Sequence, residues 1–163
     1  MPHQPVIDGF EFASSGAIQQ GVWPLNDFPR LRDMLASDAG EVAYRLEGTH
    51  DGHGRPALHI RVESSLQLSC RRCLEPLAFE VRVEDLLVLA ATLNEIHAEP
   101  ADVHAADRVV AGREMPVRDL IEDELILAVP FAPRHEACTA GPEVREGQGS
   151  SPFAGLRGLI RRH

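Results

Sequence analysis

The stretch LHIRVESSLQLSCRRCLEPLAFEVRVE, Leu58 to Glu84, decides the fold. Leu58, Ile60, Val62, Ser64, Leu66, Leu68 and Cys70 share one parity. Between them lie the polar residues His59, Arg61, Glu63, Ser65, Gln67 and Ser69. A period of two puts the first set on one face of a strand and leaves the other face in water. After Cys70-Arg71-Arg72-Cys73 the alternation resumes, with Phe79, Val81 and Val83 set against Glu80, Arg82 and Glu84. Two such runs this close read as an antiparallel hairpin with a C-x-x-C at its tip. Upstream, Val42, Tyr44 and Leu46 alternate with Ala43, Arg45 and Glu47, and the polar loop GTHDGHGRP joins them to the hairpin. The middle of the chain is therefore expected to be an antiparallel meander.

The flanks are expected to supply helices. Residues 1–21 carry no periodic signal, and Val22 to Leu25 reads as an edge strand because Pro24 is tolerated there. Pro29 to Leu35 predicts a short N-terminal helix on the spacing of Leu31, Met34 and Leu35, with Asp27 as its cap and Gly40 as the stop. Residues 91–106 read as a loop and 107–112 as one more short strand. Pro116 to Val129 predicts the main helix: Val117, Leu120, Ile121, Leu125 and Ala128 share a side, and Pro130 and Pro133 end it. Residues 139–151 read as a flexible linker. A last short helix then carries Phe153, Leu156, Leu159 and Ile160 beside Arg157, Arg161 and Arg162. The expectation is one α+β domain over residues 22–138, an antiparallel sheet with one main packed helix, followed by a flexible basic tail over 139–163.

The 163 residues, 44% hydrophobic and 25% charged, suit a single domain with one core. No apolar run approaches the roughly 18 residues of a membrane span, and no charged-then-apolar signal pattern opens the chain. With three Cys and no such signal, a reducing cytoplasmic setting is expected. Sixteen basic against 25 acidic side chains give a net charge of −9, which excludes a protein that coats nucleic acid indiscriminately. Every basic residue is Arg, so no single one can be read as chosen over Lys. The charge is uneven. Arg55 to Arg82 holds five Arg against Glu63, Glu75 and Glu80, whereas Asn94 to Glu146 holds 12 acids against five Arg. The stretch from Phe153 to His163 holds three Arg and no acid.

Cys70 and Cys73 have the spacing that lets two thiolates address one tetrahedral ion. His135 and Cys138, just past the proline-terminated helix, have the chemistry to complete a Cys₃His set suited to a structural Zn²⁺. Only the tertiary fold can unite the two halves. The alternative is a pair of reduced thiols in a tight turn, with His135 exposed and Cys138 in a loop. A thioredoxin-like redox use is disfavoured, because that chemistry wants the attacking Cys at a helix N-terminus and both flanks here are β. His50, His53 and His59 sit in or beside a Gly-rich polar loop and read as solvated. Asp119, Glu122, Asp123 and Glu124 read as acids favoured near a helix N-terminus. Arg71 and Arg72 at the hairpin tip can grip phosphates or merely solvate a turn. There is no Gly-rich phosphate loop, nucleophile elbow or H-E-x-x-H, so no catalytic residue is assigned.

Three segments in order carry a family resemblance: LSCRRCLEPL (Leu68 to Leu77), DLIEDELILAVPFAPRH (Asp119 to His135) and SPFAGLRGLIRR (Ser151 to Arg162). The chain resembles the YceD family, the bacterial large-ribosomal-RNA-subunit accumulation proteins, over most of residues 22–162. The resemblance implies a non-enzymatic factor for 23S rRNA accumulation, acting in large-subunit assembly or rRNA processing. Its partner would be 23S rRNA, a large-subunit precursor or a ribosomal protein, with no membrane and no small-molecule substrate. Arg71, Arg72, Arg157, Arg161 and Arg162 are the candidate contacts. An acidic, zinc-stabilised protein–protein adaptor is the alternative. Relatives often carry Cys or His just after the proline-terminated helix, which supports grouping His135 and Cys138 with Cys70 and Cys73. Some carry more Cys there than this chain does.

Overall fold

The computed structural model describes residues 5–98 and 106–138. In chain order its elements are β1 (Val6–Ile7), α1 (Gly9–Ser15), β2 (Ile18–Pro24), β3 (Leu35–Ser37), β4 (Glu41–His50), β5 (Pro56–Ser69), β6 (Pro76–Ala90), α2 (Leu93–Ala98), β7 (Arg108–Val110), β8 (Met115–Pro116) and α3 (Val117–Ala128). The large sheet runs β2-β4-β5-β6-β7, with β3 on β5 beyond the reach of β4. The meander forms as its alternation dictates. Tyr44 stands opposite Val62, and Val62 opposite Val83. Leu46, Leu58, Ile60, Val62, Leu66 and Leu68 are fully buried. Each contributes roughly 1.5–3 kcal/mol by leaving water. Ser64, the one hydroxyl on that parity of β5, donates to the Glu41 carbonyl at 2.9 Å and so avoids an unpaired buried polar group.

Helix α3 packs Val117, Leu120, Ile121 and Leu125 into the core. Pro116 is its cap residue rather than its first helical residue, and Val129 leaves in an extended conformation ahead of Pro130. β7 pairs with β6 in parallel, so the sheet is mostly but not wholly antiparallel. No helix among the described residues is long and apolar enough to cross a membrane.

Three expectations need correction. Residues 29–35 are not a helix. They lie within a segment of two single 3₁₀ turns, Leu25–Asp27 and Arg32–Met34, that runs into β3. Leu25, Phe28 and Leu31 are fully buried three residues apart. The amides of Arg30 and Leu31 are taken by the buried Glu122 carboxylate at 2.6 and 3.1 Å, which replaces the bonds a helix would make. Glu122 also accepts from Arg30 Nε at 2.8 Å, so it is a satisfied tether between α3 and this segment rather than a helix-dipole acid.

The packed structure also begins well before residue 22. Asp8 caps α1 by accepting from the Glu11 amide at 3.0 Å, and Gly16 ends it at φ 61°. Ile7 and Ala13 belong to the core, and β1 pairs with β8 beside the start of α3. Residues 91–106, read as a loop, contain α2.

Two substitutions test this packing. A Cβ at Gly48 would run into the Phe12 carbonyl of α1, so Gly48→Ala is expected to destabilise by about 2–3 kcal/mol in urea unfolding. Glu124 is buried on α3, and that burial, with the charges of Asp85, Asp107 and Asp123, pushes its carboxyl up to about 7. A raised carboxyl favours folding while it stays protonated and loses that contribution as the pH rises through about 7. Glu124→Gln should therefore raise stability at pH 8 by on the order of 2 kcal/mol and change it little at pH 4. Equal effects at both pH values would contradict this placement.

Candidate metal centre

The hairpin tip spans the residues between Ser69 and Pro76, the last cross-strand pair of β5 and β6. Inside the tip the Cys70 amide donates to the Glu75 carbonyl at 3.0 Å and the Leu74 amide to the Cys70 carbonyl at 2.9 Å. To close this turn Leu74 adopts φ 64°, a left-handed conformation unfavourable for a side chain with a Cβ. The Arg72 amide points at Cys70 Sγ at 3.5 Å. The turn thus aims backbone N–H groups at one sulfur and brings the second, on Cys73, around to the same side.

The segment after α3 returns to this tip. The Arg71 amide donates to the Pro133 carbonyl at 2.8 Å, fixing the two backbones together. That bond sets His135 and Cys138 against the two cysteines. Cys70 Sγ lies 3.8 Å from Cys138 Sγ, and Cys73 Sγ lies 3.4 Å from His135 Nδ1. All four ligand atoms fall within 4.8 Å of one another, and this is the group among the described residues able to hold a metal ion. A tetrahedral ion with Zn–S near 2.3 Å and Zn–N near 2.0–2.1 Å would need edges of about 3.8 Å for S···S and about 3.5 Å for S···N. The Cys70–Cys138 and Cys73–His135 separations agree with those edges. His135 Nε2 lies 3.0 Å from the Pro76 carbonyl. A proton on Nε2 donated to that carbonyl leaves Nδ1 free as the ligand and fixes the ring.

The sulfurs are not equivalent. The Cys73 amide, with those of Arg72 and His135, outweighs burial and lowers the Cys70 thiol to about 5. Burial, with hydrogen bonding to the Cys73 and Cys70 sulfurs and their charge, pushes Cys138 up to about 11. The Pro76 carbonyl, followed by Cys70, raises His135. Negative charge therefore concentrates on Cys70, and a bound cation would displace the Cys138 proton. Cys70 is fully buried at the end of a strand, not at a helix N-terminus, so no disulfide substrate can reach it.

The other candidates sort cleanly. The Asp51 carboxylate accepts from the amides of His53 and Arg55 at 2.9 and 2.8 Å and from Arg55 Nε at 2.7 Å, so the His50–His53 loop is organised as a turn. Burial works against the Asp51 charge, but the Arg55 and His53 contacts lower its carboxyl to about 2. His59 sits 3.1 Å from Glu84. Arg71 and Arg72 stand exposed at the tip beside the metal group. Arg157, Arg161 and Arg162 lie outside the described residues. The Pro76 and Pro133 carbonyls, which orient His135 and Arg71, left no signal in the sequence beyond the prolines themselves.

The chain matches the family of the large ribosomal RNA subunit accumulation protein YceD over residues 58–159. The chain belongs to the YceD family. The match covers β5 from Leu58 onward, β6, α3 and all four residues able to hold a metal ion. No solved structure matches the chain.

Two measurements test the centre. Elemental analysis of protein purified without chelator should find near-stoichiometric metal, lost in Cys70→Ser and in Cys138→Ser alike. Retention in either variant would remove that residue from the ligand set. Leu74→Asn, which tolerates the left-handed conformation, should match or exceed the parent in stability, whereas Leu74→Val should lose on the order of 1 kcal/mol.

Proposed function

We propose that the chain is a non-enzymatic factor for 23S rRNA accumulation, acting in large-subunit assembly or rRNA processing. In this reading a structural Zn²⁺ on Cys70, Cys73, His135 and Cys138 holds the hairpin tip in its working shape. The family match over residues 58–159 carries the reading, because it includes the tip and the segment that clamps it. Three thiols and an imidazole form a soft, closed donor set suited to zinc. The tip presents Arg71 and Arg72 to solvent, and the basic stretch with Arg157, Arg161 and Arg162 adds a second contact with RNA or a precursor particle.

A second reading takes support from the net charge of −9, which suits an adaptor that binds a basic ribosomal protein rather than RNA. Pull-down of large-subunit precursors with and without nuclease separates the two: association through RNA is lost on digestion, and association through protein survives.

The direct test is the 23S to 16S rRNA ratio in cells lacking the gene, with subunit profiles from sucrose gradients. The expected result is a selective fall in 23S rRNA, restored by the parent gene. Replacing Arg71, Arg72, Arg157, Arg161 and Arg162 by Gln in a folded, metal-loaded protein should prevent that restoration. An unchanged ratio in the deletion strain would contradict the proposed function.

A further inference from the structure

Phe131 is fully exposed, at 101% of its reference area, although burial is what an aromatic ring ordinarily contributes to a fold. It stands on the rim of a cleft of about 440 Å³ between the hairpin tip and the end of α3. Met34, Ile126 and Val129 give this cleft an apolar wall, and Arg71 lines it from the tip. The bond from the Arg71 amide to the Pro133 carbonyl ties together the two backbones that carry the guanidinium and the ring.

The charges around the cleft are free in a way that the protein's other cations mostly are not. Arg30, Arg32, Arg45, Arg55 and Arg61 each pair with a carboxylate. The guanidinium groups of Arg71, Arg72 and Arg134 make no hydrogen bond or ion pair with the described residues, and all three are exposed. Arg134 follows Pro133 directly, and Arg72 follows Arg71. Arg71 lines the cleft with the exposed ring, and Arg72 and Arg134 lie next in sequence on the two segments that the Arg71–Pro133 bond joins, with the exposed acids Glu75 and Glu136 in those same segments. Asp33 is the acid on the lining, an acceptor for an amino group rather than for a phosphate.

We infer that this cleft binds single-stranded RNA, with one base stacked on Phe131 and its phosphates met by Arg71, Arg72 and Arg134. An aromatic face flanked by guanidinium groups is how unstructured strands are held, since every base offers a π-face and every linkage a charge. The strand must be single, because a base inside a duplex cannot reach the ring. The volume, near the lower end of the roughly 300–1,000 Å³ range of small-ligand pockets, has room for a base and not for a helix. This inference rests on the RNA reading above and assigns that reading its contact surface.

The test uses the full chain, metal-loaded, with a short fluorescein-labelled single-stranded RNA of mixed sequence, followed by anisotropy across a salt series. Phe131→Ala should weaken binding roughly tenfold with an unchanged salt slope, and Phe131→Tyr should restore it. Arg71→Gln should weaken binding and reduce the salt slope by about 0.7. The exposed Phe131 contributes nothing to the core, and circular dichroism with metal content verifies that the variants stay folded. Equal RNA affinity of Phe131→Ala and the parent overturns the inference. So does a surface that ignores RNA and instead binds a ribosomal protein in a Phe131-dependent way. In cells, a Phe131→Ala gene that restores 23S rRNA fully to the deletion strain rejects this cleft and leaves the function standing. A deletion that leaves the ratio unchanged rejects the function itself.

Discussion

The contact from the Arg71 amide to the Pro133 carbonyl is the point on which the rest of the candidate site depends. The β5–β6 hairpin is held in the sheet along its length, but its six-residue tip lies beyond the last cross-strand pair. Left alone, such a tip would keep the freedom of any exposed loop. Here the chain that leaves α3 crosses back to it, and four ligand atoms from positions up to 68 residues apart converge within 4.8 Å. An ion in that group would close a long loop. Structural zinc sites in small peptides contribute on the order of 10–16 kcal/mol, comparable with the whole stability of a domain. An ion bound there would hold the tip, and the cleft beside it, in shape.

The electrostatics divide along the same line. On the solvent face of the sheet Arg45 meets Glu47, and Arg61 and His59 share Glu84, so charge is largely cancelled in place. Glu122 and Arg30 cancel at the seam between α3 and the 3₁₀ segment. At the tip and the segment that clamps it, Arg71, Arg72 and Arg134 face solvent without an ion pair among the described residues, although Glu75 and Glu136 are exposed nearby in sequence. A protein of net charge −9 thus keeps three guanidinium groups without ion pairs among the described residues near the place where a backbone bond joins the tip to the segment after α3. Long-range repulsion of nucleic acid by the body is screened within about 8–10 Å at physiological salt, which leaves such groups able to act locally.

How far the amino-acid sequence foretold this differs from element to element. The hairpin was legible because a two-residue period over Leu58 to Cys70 has no helical interpretation, and α3 because its apolar stripe is long and proline-bounded. The four residues able to hold a metal ion were legible as candidates from residue type, although their convergence needed the fold. The stretch from Pro29 to Leu35 misled because Leu31, Met34 and Leu35 have helical spacing, while the competing bonds come from Glu122, some 90 residues away. Helix α1 carried its caps, Asp8 and Gly16, in plain view, but seven residues burying only Gly9 and Ala13 leave too short an apolar stripe to detect. The parallel pairing of β7 and the exposure of Phe131 depend on where the chain returns, which no local pattern records.

The most direct test of this account is the X-ray absorption spectrum at the zinc edge of protein purified with its own metal. A single four-coordinate environment is expected, with three sulfurs at about 2.3 Å and one nitrogen at about 2.0–2.1 Å. A shell of oxygen and nitrogen only, or one with two sulfurs, would show that the hairpin tip and the segment after α3 do not share an ion, and would contradict it.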